Sequence, residues 1–561
     1  MLNFRHFKYE GWLYALALAA AVFLRFAHLG ATPLTDAESE LALQALRITQ
    51  GAKPALSAHP FYILFTSALF FLYGAGTNFL ARLLPALAGS LLVLAPRLFP
   101  AERIKPRSAV LLAFFFALEP GLVAASRQAG SPILALTFTL VALGFFLQRK
   151  TQPAAVFAAL ALLGGESIWL GLLALALTWS LSRLFVSAPP VLPNRLVPNF
   201  LSPFLVAFVL FGSLFFIVPN GLSAAFASIP AFFSRWTFAS DLPAWRALLS
   251  LLIYQPLGVL LALIAIGRGI WRRSPRILTL VVWLTFSLSL AALLPSRQMN
   301  DFIWALIPLW ALAAIELTRY VDMFPDERGE ALGAAALTVF IWLFGWLDLT
   351  GMFWTADPAQ YTVRFWTLLV VLLLLALSWL FIAVGWSMRV AQFGGVWGMA
   401  LALGAFGAAG AFGAAGLRGT SSVEMWQPPL LPAQADLLQA SARDMSEWGA
   451  GNDYAAQIVI AGVDSPALEW LLREHPVTVT SALDVSSAPP LVITTQQESS
   501  PALASAYRGQ DFTWRQTPAW NVPAANWLRW LALREMPQNS ETLILWARED
   551  LFIHPPFTLQ P

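Results

Sequence analysis

Long apolar stretches separated by short polar breaks dominate the chain up to about residue 417. Stretches near 11 to 29, 79 to 99, 108 to 125, 131 to 148, 153 to 165 and 167 to 186 are long enough, or nearly so, to cross a bilayer as helices. So are 203 to 219, 247 to 266, 277 to 294, 302 to 318, 331 to 350, 366 to 388 and 392 to 417. The pattern predicts a polytopic α-helical membrane protein with about thirteen transmembrane helices. One further run, Pro60 to Tyr73, has about fourteen residues, a length that suits a segment lying along or dipping into the interface rather than crossing. Arg5 and Lys8 precede the first run, but no small-residue cleavage site closes it, so it reads as an uncleaved first helix.

After Gly416 the texture becomes mixed and polar, with breaks at Pro428, Pro429 and Pro432. This predicts a membrane domain over 1–417, with a first outer loop at 30–78, and a soluble domain over 418–561. The tail alternates helices (Ala433 to Trp448, Pro466 to His475, Ala524 to Glu535) with strands (Ala456 to Ala461, Val477 to Thr480, Pro490 to Thr495, Thr542 to Arg548). Such alternation predicts a small α/β domain. It has no glycine-rich phosphate loop, metal-spaced histidine cluster or nucleophile elbow, and so reads as a lid, docking or substrate-orienting module.

Composition agrees with a lipid-solvated chain. Of 561 residues, 58% are hydrophobic and 12% charged, with mean hydropathy +0.67. Net charge is only +3, and the basic residues sit in short clusters between apolar runs, so the basic balance reflects loop placement and not a nucleic-acid-binding face. There is no cysteine, which removes disulfides, thiolate metal sites and a cysteine nucleophile. With the N-terminus inside and Pro60 to Tyr73 not crossing, about seventeen basic residues fall on the cytoplasmic side and about eight opposite, the bias expected of a correct orientation. Counting Pro60 to Tyr73 as a span inverts every later loop. The expected location is the plasma (cytoplasmic) membrane, multi-pass, with a cytoplasmic N-terminus and an extracytoplasmic C-terminal domain.

The first outer loop holds the densest candidate chemistry. Asp36, Glu38 and Glu40 lie within five residues at the start of a predicted short interfacial helix, where the helix dipole favours carboxylates. The residues alone leave two readings open, acids that cap and solvate that helix or acids that act on a substrate.

These residues meet a family. The loop with its acids, His59 and Pro60, followed by Arg82, Pro85 and Gly89, resembles the start of GT-C glycosyltransferases of the protein-mannosyltransferase and lipid A aminoarabinose transferase type. Ser126 and Arg127 resemble that family's second outer loop, and Arg297 before an aromatic and proline-rich helix is similar to its late loop. The layout also resembles flippase-associated members of the superfamily. The resemblance implies a GT-C-like membrane domain and transfer of a sugar from a polyprenyl-phosphate carrier to a glycan, lipid or protein acceptor at the outer face. It implies Asp36 or Glu38 as base and Arg127 and Arg297 on the donor phosphate. Placement adds two substrate candidates, His59 toward the sugar or acceptor and Arg235, in the broad outer segment 220 to 245, toward the lipid-linked sugar. Residue type and position at the helix start favour Asp36 as the base, with Glu38 positioning it. The spacing of the family it resembles, counted back from Ala42 and Leu43, favours Glu38.

Two positions depart from the family pattern. Ala37 separates acids that are adjacent in relatives, and if Glu38 is the anchor, the catalytic position falls on Ala37. Gln128 stands where many relatives have an acid, and an amide is a poor substitute for a carboxylate metal ligand. Either no divalent cation is used, or Glu119 or Glu166 helps to hold it. A non-catalytic partner or transporter of lipid-linked glycans is the alternative reading.

Overall fold

Proline and glycine cut the apolar chain into helices. Several helices begin with proline at their first position, where the missing N–H costs nothing. The computed structural model describes residues 4–183, 196–321, 327–354, 357–419, 423–427, 431–495, 501 and 503–552. Arg195, expected among the cytoplasmic basic residues, and the Pro428–Pro429 pair lie outside the described residues.

The first group of helices is α1 (Phe4–Phe26), α2 (Asp36–Thr49), α3 (Pro60–Tyr73), α4 (Asn78–Leu92), α5 (Pro106–Leu118), α6 (Pro120–Ser126), α7 (Ile133–Leu147), α8 (Thr151–Leu162) and α9 (Ser167–Ser182). There follow α10 (Leu196–Gly212), α11 (Asn220–Ser234), α12 (Ala244–Tyr254), α13 (Pro256–Trp271), α14 (Pro275–Leu293), α15 (Ile303–Leu317), α16 (Arg328–Trp354), α17 (Pro358–Gly385) and α18 (Met388–Ala414). Among the described residues, five helical segments are long and apolar enough to cross a membrane, or seven if α5–α6, bent by 59°, and α12–α13, bent by 93°, each count as one span. Six shorter apolar helices accompany them, including α3. The stretch 220–245, expected as an outer segment, contains α11, which packs on α3.

The C-terminal part adds α19 (Ala435–Ala450), α20 (Pro466–Leu471) and α21 (Ala524–Leu533) around a six-stranded sheet. Its strands are β1 (Leu431–Pro432), β2 (Ile458–Ala461), β3 (Val477–Thr480), β4 (Leu491–Thr495), β5 (Tyr507–Pro518) and β6 (Gln538–Arg548), in the order β1-β5-β6-β4-β2-β3. β2 runs parallel to β3 and β4, whereas β6 is antiparallel to β4 and β5. Buried Ile458, Leu491, Ile493, Leu543 and Leu545 meet Leu438 and Leu468 to form this domain's core.

This domain seats on one end of the helical bundle, here called the domain end. α20 packs on α2, Trp470 stacks on Phe70, and its indole donates to Asn78. On the far side of the seat, Trp527 meets Trp245 and Trp530 meets Tyr254. Both ends of α3 lie at the domain end. Phe61 N donates to Leu163 O, the His59 ring packs on Gly165, and the turn after Tyr73 meets Trp470 and Arg473. α3 therefore does not traverse the bundle. The opposite end gathers the loops with Arg97, Arg149, Arg268, Arg319 and Arg389, linked by contacts such as Gln148 to Leu98 O, Ser108 to Thr318, Arg268 to Glu316 and Trp397 to Tyr320.

Two local devices hold the bundle. α18 lies close against α16 because Gly394 and Gly398 leave room: a Cβ on each would come within 2.4 Å of Ala334 and 2.5 Å of Thr338. At the α5–α6 bend, Pro120 has no N–H for Phe116 O, and Gly121 N is diverted to the Glu119 carboxylate. Arg25 of α1, fully buried, replaces both donors by reaching Phe116 O at 3.0 Å and Ala117 O at 3.2 Å, and it also meets Ser126 Oγ.

Candidate functional site

Thr35 ends the extended first loop and caps α2. Its backbone N–H and hydroxyl donate to Glu38 Oε2 at 3.0 and 3.1 Å, closing a capping box. Glu38 is then taken up entirely. Arg82 of α4 grips it with two parallel bonds of 2.8 Å, and Ala129 N donates to Oε1 at 2.9 Å. Both side chains are buried, at 3% and 5% exposure. Arg82 also holds Thr32 and Pro33 carbonyls, so one guanidinium sets the path of the first loop. Burial pushes the Glu38 carboxyl up, but the Arg82 charge and the bonds to Arg82, Thr35 and Ala129 prevail and hold it below the usual range.

Asp36, two residues earlier, points to the C-terminal sheet domain. Its Oδ1 accepts from Ser465 Oγ at 2.6 Å and Ala467 N at 3.1 Å, and its Oδ2 accepts from Arg515 at 2.6 Å. Ala467 N is one of the free amides at the start of α20, so Asp36 caps that helix from another domain. Burial lowers the Arg515 guanidinium pKa, but the Asp36 charge outweighs it and raises the pKa above its ordinary value. Ala37 is exposed between these two occupied acids. Asp36 and Glu38 thus diverge, one toward the domain and one toward α4.

The remaining expected residues fall into separate settings. Arg127 caps the end of α1, donating to the Leu24, Arg25, Ala27 and His28 carbonyls. Gln128 joins three segments, accepting from Asn300 at 2.6 Å and donating to Trp426 O at 3.1 Å. Arg235 makes a two-pronged pair with Asp301 at 3.0 and 2.6 Å and faces Glu166 at 3.6 Å. Arg297 donates to Ala292 O and Leu242 O, and among the described residues it has no ion pair with the first-loop acids. His59 lies beside Gly165, next to Glu166, so His59, Glu166, Arg235 and Asp301 form one polar row at the domain end.

The two acids considered for a divalent cation sit apart. Glu119 is buried and accepts from Gly121 N, Gln255 and Trp310, while Glu166 faces Arg235. Both are met by N–H donors, the wrong chemistry for a cation cradle, and the described residues contain no group of three or more His, Asp or Glu placed to share a metal ion.

Sequence reasoning missed Arg82, Asp301 and Arg515 as partners of the named residues. Arg82 carried a signal, since a charge within an apolar helix needs a buried partner. Asp301 lies four residues after Arg297 and directly before Phe302. Nothing local marks Arg515.

No family model matches the chain, and no curated protein matches it. Solved structures do. ArnT from Cupriavidus metallidurans bound to undecaprenyl phosphate superposes with TM-score 0.53 at 15% identity, covering 97% of this chain and 99% of that one. The apo structure of the same protein gives TM-score 0.54 at 16% identity, over 86% of this chain and 93% of that one. From α1 to the C-terminal sheet, the chain has the fold of these ArnT structures.

Proposed function

We propose that this protein transfers a sugar from a polyprenyl-phosphate donor to an acceptor at the outer face of the membrane. The observation that carries this reading is the match of nearly the whole chain, soluble domain included, to a protein solved with undecaprenyl phosphate. The polar row at the domain end supplies the kind of groups the chemistry requires. Transfer needs cations beside the departing phosphate and a carboxylate to take the acceptor's proton. Arg235 and Arg297 are held at that end, and neighbouring Arg246 has a buried Nε without a hydrogen-bond partner. Arg127 orders the α1 end beside them.

In this reading the thirteen spans are α1, five short apolar helices other than α3, the two bent pairs and the five long segments. The arginine-rich end faces the cytoplasm, and the soluble domain lies outside, over the first loop.

A second reading, a non-catalytic partner for lipid-linked glycans, is favoured by one observation: Asp36 and Glu38 are both fully engaged in structural contacts. Incubating the purified protein in lipid nanodiscs with a panel of polyprenyl-phosphate sugars and acceptor lipids separates the two. Release of polyprenyl phosphate supports transfer. Donor binding without release points to the partner.

A further inference from the structure

A general base must have a lone pair that is free and accessible. The acids of the domain end can be sorted on that requirement. Asp36 accepts three bonds from the soluble domain, Glu38 accepts from Arg82, Thr35 and Ala129, and Asp301 is held by Arg235 and by Gln298 N. Glu166 faces the Arg235 guanidinium. Glu40 differs from all of these. It is exposed, it has no ion pair among the described residues, and its one partner is the Ser57 hydroxyl, which donates to Oε1 at 3.3 Å. Oε2 is left open.

The position of Glu40 is also prepared. Gln44, one turn on in α2, donates to Ser57 Oγ at 2.7 Å and accepts from Ser57 N at 2.8 Å. This pair orients the Ser57 hydroxyl so that its own proton points to Glu40. Ser57 leads through Ala58 to His59, so the residue that contacts Glu40 stands two positions before the His59 end of the row of His59, Glu166 and Arg235. Within α2, Glu40 lies three residues after exposed Ala37, on the neighbouring surface of the helix roughly 5 to 6 Å away. Ala37 and Glu40 thus share the exposed face of α2.

We infer that Glu40 is the general base of this protein and that its substrate is an acceptor hydroxyl, an inference that rests on the glycosyl-transfer reading. The acceptor O–H gives its proton to Glu40 Oε2 as the oxygen bonds to the anomeric carbon. The bond from that carbon to the phosphate oxygen breaks, and its electron pair leaves with polyprenyl phosphate. Glu40 ends as a carboxylic acid and returns its proton to water. Ser57 is a positioning residue.

The test is transfer kinetics in nanodiscs with wild type, Glu40→Gln, Glu40→Asp, Ser57→Ala and Glu166→Gln, each checked for an unchanged melting temperature. Glu40→Gln should lower kcat by about 10² to 10⁴ with little change in donor KM, and should flatten the acid limb of the pH–rate profile. Glu40→Asp should restore part of the rate, and Ser57→Ala should shift the acid limb with a smaller loss. Full turnover by Glu40→Gln in an enzyme whose wild type transfers sugar overturns the role of Glu40 and leaves the transferase reading standing. So does a loss confined to Glu166→Gln. Absence of transfer by wild type across the panel removes the transferase reading and the base with it.

Discussion

Arg515 donates to the Asp36 carboxylate at 2.6 Å across 479 residues of sequence. The same carboxylate accepts from Ser465 and from Ala467 N, and a second ion pair, Arg47 with Glu469, lies beside it. The segment 30–78 and the C-terminal sheet domain are thus one assembled surface. A change in either is felt in the other.

Asp36→Asn should loosen this seat. The bonds to a charged group are worth about 1.5 to 3 kcal/mol where well buried, and the partial exposure of both partners puts this pair toward the lower end. In this cysteine-free chain, Ala467→Cys provides a buried reporter. Its rate of modification by a thiol reagent should rise by roughly tenfold when Asp36→Asn is added. An unchanged rate would mean that the aromatic contacts around Trp527 and Trp530 hold the domain without Asp36.

Glu38 and Arg82 make a different prediction, because their pair is buried. Arg82→Met alone should destabilise the protein by about 3 to 5 kcal/mol, since it leaves an uncompensated carboxylate. Adding Glu38→Gln should recover part of that loss, measured by thermal unfolding in detergent. The pH dependence has a fixed sign. Because the folded carboxyl lies below its ordinary value of 4.5, the contribution is fully present above that pH and is lost as pH falls through the lower folded value. A single variant no less stable than the double would contradict the pairing argument.

Orientation is open to the same cysteine chemistry. In intact cells a membrane-impermeant thiol reagent should modify Arg508→Cys on the soluble domain and leave Arg103→Cys untouched until the membrane is opened. The reverse pattern would place the arginine-rich end outside.

At the α5–α6 bend, Arg25→Met should strand the Phe116 and Ala117 carbonyls, at a cost of about 1 to 3 kcal/mol for each buried unsatisfied group. Pro120→Ala returns an N–H to the position that serves Phe116 O. The double variant should therefore unfold at a higher temperature than Arg25→Met alone, and equal melting points would show that Arg25 acts through something other than these carbonyls.

Much of the helical architecture was readable because lipid imposes a length on every crossing segment. Pro60 to Tyr73 stood apart by being too short, and α3 has both its ends at the domain end. In the soluble domain the strands with apolar runs, such as Leu491–Thr495, were visible. β5 was not, because YRGQDFTWRQTP is mostly polar and buries little beyond Tyr507, Phe512 and Trp514; it is a strand through pairing with β6. In the site the acids of the first loop stood out by residue type, but their engagement did not. Asp36 and Glu38 differ in partner because two residues along a helix point in nearly opposite directions, and the partners lie 479 and 44 residues away. α11 went unassigned because its fifteen residues are interrupted by Pro230 and by serines at 223, 228 and 234.

The burial of Arg25 reaches back to the birth of the protein. α1 enters the membrane before α5 and α6 have been made, carrying a guanidinium whose carbonyl partners do not yet exist. With Arg25 next to last in α1, the side chain can stay at the lipid–water boundary during that interval, its stem along the helix and its head among phosphates. In the folded protein the carbonyls of the bent pair and the Arg25 cation satisfy each other. The placement of α1 and the bend at Pro120 therefore stand or fall together, because each satisfies polar groups that the other leaves open.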